Sequence, residues 1–307
     1  VLWDIDIALW IVCPLLGMVG MFSGGYWGVG CGWLIVPTML LLGLSPMEAV
    51  GIALLQMVPA ILPTVVKTYR DIKWSKGSLG RSIILPMAIG SFLTSFTGDP
   101  INRALNAAFG DKALMLLFMI VMIFIGCQTA ASRAIVYSRE SATYTGKSSV
   151  GAWVAGLFTG VFSSVLGVGG AVVMRPALAS LFKVSEKETS TSIRILLLVT
   201  TLTGGLHYLW GGGAFQWKIL VLTLLISIGG MIGFPLGVKL HDHVARCGYT
   251  QHIHKSFSVI AAIVITSSTL KLCGWLLFSR YLMLVFAAML VCYLVGFGVY
   301  AAHHAKR

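Results

Sequence analysis

Two arginines stand where a guanidinium is costly: Arg175 in "AVVMRP" and Arg194 in "TSTSIRILLL", both inside apolar runs. A cation in such a run either faces a polar cavity or anionic partner, or reaches back to the headgroups. The two readings weigh equally for Arg194, near one end of its run, whereas the deeper Arg175 favours contact with an anion. A guanidinium presents a planar fork that matches two oxygens of an oxyanion. Arg175 also follows a glycine cluster, Gly167, Gly169 and Gly170, and the chain writes that phrase twice. "GVGCGWLIVP" fills residues 28–37, with Gly28, Gly30 and Cys31, and "GVGGAVVMRP" fills 167–176, an offset of 139. Glycine costs about 1 kcal/mol in a helix interior and proline about 3 kcal/mol. Two apolar helices broken at matching places expose backbone N–H groups, and the half-helix after each break points its positive dipole end there. Such a site prefers an anion. The plainer alternative is that the glycines only let helices pack closely. Ser192, Gln56 and His207 are further polar groups inside apolar runs, able to face substrate or to hydrogen-bond a neighbouring helix.

The elements that must position these groups are membrane helices. The 307 residues are 57% hydrophobic and 10% charged, with mean hydropathy +0.90, where a soluble domain carries about 25% charged residues. The net charge of +12 comes from basic residues in short loops, the signature of membrane topology and not of a nucleic-acid surface. Position 1 is Val, and the acidic opening "VLWDID" is unlike the basic start of a cleavable leader, so none is expected. Six scattered cysteines form no CxxC, which leaves no readable zinc site or disulfide framework. "GKS" at 146–148 lacks the first glycine of a phosphate loop, and no βαβ pattern surrounds "GVGCG", so no nucleotide is implied. Met115, Met119 and Met122 on one helix face read as core filling. His241, His243, His252 and His254 fall in a basic loop and are expected to be solvated or to face headgroups. No Asp or Glu is expected mid-segment, so a carboxylate-based coupling site is not supported. Neither a cofactor, a metal nor an enzymatic constellation is expected.

Apolar segments fall at about 7–27, 33–43, 49–66, 82–98, 113–131, 150–166, 171–182, 191–209, 217–238, 256–273 and 279–301, and crossing the hydrocarbon takes about 20 helical residues. Segments 33–43 and 171–182 are too short to cross, and each follows a glycine phrase. They are expected to be half-helices whose tips lie within the membrane. The basic loops 67–81, 132–149 and 239–255 and the tail ending Lys306-Arg307 are expected inside, with 99–112 and 210–216 outside. On that topology "SPMEAV" lies outside and its counterpart "SEKETS" inside, which makes the two halves inverted repeats. The fold class is an all-α polytopic membrane protein of two inverted-topology repeats, each with a glycine-broken half-helix hairpin, plus one extra C-terminal helix. The organisation reads as a first repeat over 1–131, a basic cytoplasmic linker over 132–149, a second repeat over 150–273, and an added helix with a basic tail over 274–307. Inverted repeats with interrupted helices are the pattern of secondary transporters that bind substrate near the midplane.

The stretches "GGYWGVGCGWLIVPTMLLLGLSPMEAVGIALL" and "GVFSSVLGVGGAVVMRPALASLFKVSEKETSTSI" resemble the paired signatures of the TauE/SafE sulfite-exporter family, over residues 15–275. The chain departs from that pattern at Cys31, at Gly51-Ile52, and at Arg175 and Arg194. The resemblance implies a permease for small sulfur-containing or organic anions such as sulfite or sulfonates, in a bacterial inner membrane with its C-terminus cytoplasmic. The implied partners are the small anion and the lipid bilayer, with no nucleic acid, and a homo-oligomer or a membrane-complex partner is open. A second reading keeps the transporter fold but makes the chain an accessory subunit of a membrane complex.

Overall fold

The computed structural model describes residues 7–110, 112–131, 144, 146–211 and 217–303. Twelve helices account for most of these residues: α1 (Ile7–Trp27), α2 (Gly32–Leu41), α3 (Pro46–Thr68), α4 (Leu85–Ser95), α5 (Gly98–Phe109), α6 (Lys112–Ala131), α7 (Gly146–Leu166), α8 (Ala171–Pro176), α9 (Glu186–Gly211), α10 (Trp217–Arg246), α11 (Thr250–Leu272) and α12 (Leu276–His303). No strand occurs among the described residues. Six helices are long and apolar enough to cross a membrane, and α5 with α6, bent by 112°, makes a seventh such span. The chain is therefore an all-α polytopic membrane protein. Most of the expected linker, residues 132–143 and 145, lies outside the described residues, as do 1–6, 212–216 and 304–307.

Local chemistry sets the helix ends. Helix α3 starts in a reciprocal cap: Ser45 Oγ accepts from the Glu48 N–H (3.4 Å), and the Ser45 N–H donates to Glu48 Oε2 (2.7 Å). Helix α9 begins the same way, with Ser185 Oγ accepting from the Glu188 N–H (3.4 Å) and donating to Glu188 Oε2 (2.8 Å). Helices α2 and α8 are the two expected half-helices. Each follows a glycine break, and α8 continues into a π-turn over Ala177–Leu181.

Packing pairs the first half with the second. Helix α1 lies along α10, α4 along α7, α3 against α9 and α6 against α11. Exchanging the halves turns α1–α10 into α7–α4 and leaves the other two pairs unchanged. The longest contacts are backbone to backbone. Cβ atoms added at Gly229, Gly233 or Gly237 of α10 would strike the α1 backbone at Pro14, Met18 or Phe22, and Gly17 of α1 meets the Ile226 carbonyl. On the other side Gly90 of α4 meets the Trp153 carbonyl, while Gly156 of α7 meets that of Met87. Small residues let membrane helices approach this closely.

Four expectations are corrected. Residues 99–112, read as an outside loop, contain α5. Pro100 lacks a backbone N–H and crowds the preceding turn, so the helix that begins at α4 kinks at Phe96-Thr97 and resumes along the protein. Its charged residues belong to an amphipathic helix, and Asp99 on it is buried, contrary to the expectation of no carboxylate inside. The basic loop 239–255 shrinks to residues 247–249, because α10 keeps its hydrogen bonding to Arg246 and α11 starts at Thr250. His241, expected in solvent or at headgroups, is only 3% exposed, held by a hydrogen bond described below.

Candidate functional site

The α1 backbone leaves the helix at Gly28 (φ +67°) and Gly30 (φ +77°), and the α7 backbone does so at Gly167 (φ +71°), Gly169 (φ +80°) and Gly170 (φ +75°). These are left-handed conformations in which a side chain costs about 1–2 kcal/mol per residue, which explains the glycines. The two breaks then meet. A Cβ at Gly30 would stand 2.8 Å from the Val168 carbonyl oxygen, one at Gly32 would strike the Gly167 carbonyl, and one at Gly167 would lie 2.9 Å from Val36 Cγ2. All residues of both breaks except Gly28 are buried.

Each severed helix end is capped across the halves. His241 Nδ1 bonds the Tyr26 carbonyl of α1 (2.7 Å), and Asn102 Nδ2 bonds the Val165 carbonyl of α7 (2.9 Å). A carbonyl can only accept, so Nδ1 of His241 carries the proton. Residues 26 and 165 differ by the same 139 as Gly28 and Gly167, and so do Asn102 and His241. Tyr208 also donates to the Ser164 carbonyl (2.9 Å), and Thr200 Oγ1 donates to that of Gly169 (3.0 Å). Lys271 Nζ donates to the Leu40 carbonyl at the far end of α2 (2.7 Å). Carbonyls left over at helix ends need such donors.

The expected site residues divide into three groups. Gly28, Gly30, Cys31, Gly167, Gly169 and Gly170 come together as described. Arg175 joins them: a Cβ at Gly28 would lie 2.8 Å from its Nη2, so the second half-helix delivers its cation to the first break. Gln56 is fully buried behind the first break, donating from Nε2 to the Cys31 sulfur and to the Ala53 carbonyl (3.1 Å). Arg194 lies apart, 8% exposed, with Nη2 on Ser190 Oγ (3.2 Å) and 3.8 Å from Asp242 Oδ1. Arg175 acts on it electrostatically, as do Asp242 and Asp71. Ser192 donates to its own helix at the Glu188 carbonyl (2.6 Å), and His207 packs edge-on to Phe96, their ring centres 5.7 Å apart. Neither of these two is brought to the breaks.

The sequence reading missed the serine and threonines that wall the second break. The Thr159 methyl and Ser163 stand against Gly170 and the Thr201 methyl against Gly169, while both threonine hydroxyls bond their own helices. Ser163 Oγ is buried and, among the described residues, has no hydrogen-bond partner. The signal was present in the polar count of "GLFTGVFSS" and "LLLVTTLTG", but threonine and serine inside apolar helices commonly bond their own backbone, so the residue type alone does not single them out.

The two glycine breaks, each followed by a half-helix, lie against one another, and the Arg175 guanidinium lies beside the first of them. Comparison with known proteins gives the family. The chain is 24% identical over 256 residues, 75% of its own length and 89% of the relative's, to the probable membrane transporter protein YunE of Bacillus subtilis (strain 168). No solved structure matches. The model of the sulfite exporter TauE/SafE family matches residues 13–265, both breaks included, and the chain belongs to that family.

Proposed function

We propose that this membrane transporter of the TauE/SafE type is a permease for small sulfur oxyanions such as sulfite or sulfonates, held where the two glycine breaks meet. The observation that carries the reading is the placement of Arg175 against Gly28, which puts a fork of N–H donors beside backbone able to approach a ligand closely. In this reading α2 and α8 turn their positive ends toward the anion, and Arg194 lies on the path from the cytoplasmic face, where Asp242 holds it between passages. The two repeats, residues 1–131 and 150–273, are inverted about the breaks, with the linker and the C-terminus cytoplasmic and the membrane that of the bacterial inner envelope. The cross-capping of Tyr26 by His241 and of Val165 by Asn102 at one common offset supports the repeat. Because the breaks are closed by contact between them, passage requires the packed pairs around α1–α10 and α4–α7 to shift against each other.

The test is flux. Purified protein in proteoliposomes should move sulfite or a small alkane sulfonate down its gradient, and Arg175→Ala should lower that flux to the protein-free background. Retention of full flux by a folded Arg175→Ala protein overturns the site.

A further inference from the structure

The two severed helix ends are held by different side chains in one role. Asn102 Nδ2 bonds the Val165 carbonyl and His241 Nδ1 bonds the Tyr26 carbonyl, at positions related by the common offset of 139. Both residues are buried, 2% and 3% exposed. The second break therefore shows that an amide is enough for the cap. At the first break the role falls to an imidazole, which unlike an amide changes charge near neutral pH. With the Nδ1 proton fixed on the Tyr26 carbonyl, the neutral ring keeps its lone pair on Nε2. A second proton adds at Nε2 and leaves the cap in place.

The surroundings balance that proton so that an anion can tip it. Burial disfavours the imidazolium. So does Arg175, whose Nη2 stands beside Gly28, two residues past the carbonyl that His241 holds. In its favour, the ring sits at the C-terminal end of α1, where the helix dipole attracts a cation. Of the nearby carboxylates, Asp242 is engaged with Arg194 of α9, on which Asp71 after α3 also acts. The Tyr26 ring lies edge-on to the imidazole, centres 6.4 Å apart, and Tyr293 of α12, bonded to His252 of α11, acts on the Tyr26 hydroxyl. Phenols are neutral in this range. On α10 itself Lys239 and Arg246 are exposed, and His243 lies against Cys247. An anion at the first break offsets the charge of Arg175, and the proton becomes easier to hold. Linkage is reciprocal, so the proton tightens the anion by the same factor.

We propose that His241 is the proton site of this transporter, taking a proton on Nε2 together with the anion at the first break. The coupling rests on the anion reading above; the protonation does not. Asn102 cannot titrate, so the proton belongs to one half alone.

Solid-state NMR of isotope-labelled histidine in the full chain, in lipid nanodiscs, reads the protonation directly. It is run with and without methanesulfonate, which stays ionised throughout. The His241 signal is the one lost in His241→Asn or, should that variant not fold, the one whose Nδ1 proton correlates with a labelled tyrosine carbonyl. Without anion, Nε2 should gain a proton between about pH 8 and pH 5, and methanesulfonate should move that midpoint upward. By calorimetry the wild type should bind methanesulfonate at least about five times more tightly at the acid end of the range. His241→Asn, which keeps an amide cap as at Asn102, should bind it equally at both ends. A merely structural cap predicts the same pH profile in both proteins, and that result overturns the proposal. So does a His241 ring that stays neutral down to about pH 5 with and without the anion. A protein whose His241 takes its proton but which binds methanesulfonate at no pH sinks the anion reading and upholds the proton site.

Discussion

At the first break the turn is walled by Gln56, the Cys31 thiol and the sulfur of Met57, which a Cβ at Gly30 would approach to 3.2 Å. At the second, Thr159 and Thr201 bring methyls, Thr200 bonds the Gly169 carbonyl, and Ser163 brings a buried hydroxyl. The backbone frames match in φ at Gly28 and Gly167 and at Gly30 and Gly169, and in their cross-half caps, but Cys31 (φ −114°) and Gly170 (φ +75°) differ, so the contrast lies in the side chains and in that last residue. It teaches that the frame and the selectivity come from different sources. In the proposed reading the left-handed glycines and half-helix ends frame the anion, whereas a soft, weakly donating wall on one side and the Ser163 hydroxyl on the other give the site a direction. Arg175 sharpens this, since it rises from the second half yet lies against the first break. Neither half completes the site alone.

The largest expected effect tests the frame. Gly30→Leu and Gly169→Leu should each abolish flux while the protein still inserts. Each places a side chain in a left-handed conformation at about 1–2 kcal/mol and drives it into packed neighbours, the Val168 carbonyl or Leu197. Flux assays of both, on protein shown to be folded, check the equivalence; if only one is lethal, the two breaks are not counterparts in function.

A smaller effect separates the arginines. Arg175→Lys should weaken anion binding about tenfold by losing the bidentate fork while keeping the charge. Arg194→Lys should change it little, because an ammonium can still meet Asp242. Anion affinity by calorimetry reads both, and unchanged affinity in Arg175→Lys would make that residue an anchor. Smaller again is the wall itself. Ser163→Ala should cost a few-fold in anion affinity, the worth of one hydrogen bond at about 1 kcal/mol, whereas Cys31→Ala should cost less. The reverse order would place the oxyanion at the sulfur side.

The smallest effect is one of pH. On α11, His252 Nε2 bonds the Tyr293 hydroxyl of α12 (2.7 Å), and the His252 ring stacks on Phe297 with centres 3.4 Å apart. Burial holds the His252 imidazole below its ordinary 6.5. The folded state then binds fewer protons than the unfolded one, so its contribution is intact above the unfolded value and declines as pH falls through and below it. A slight fall in Tm between neutral and mildly acid pH is expected, and His252→Gln should remove the part of it due to this residue.

Much of the frame was legible in the residues. The doubled glycine phrase located both breaks, the short arms marked α2 and α8, and Ser45 with Glu48 and Ser185 with Glu188 announced the caps of α3 and α9. Amphipathic α5 was not legible, because Asp99, Asn102 and Arg103 read as a loop until one face is seen buried. His241 was lost for the same reason. A histidine beside charged residues looks solvated, and only the path of α10 past the end of α1 turns it inward. The partners of Arg175 and Arg194 were beyond sequence because Gly28 lies in the other half and Asp242 on another helix, at separations that periodicity does not reach.

The glycine seams have a consequence for biogenesis. The α4–α7 seam joins stretches close in the chain, so it can zip as soon as residue 166 has entered the bilayer. Gly17 and Gly25 of α1, however, find Ile226 and Phe234 only when α10 arrives more than 200 residues later. Contacts of such long sequence separation form late. Until then the first helix made is the last to be clasped, its notched face open to lipid and to whatever assists insertion. A chain stalled before residue 217 would hold a finished second break beside an unfinished first one.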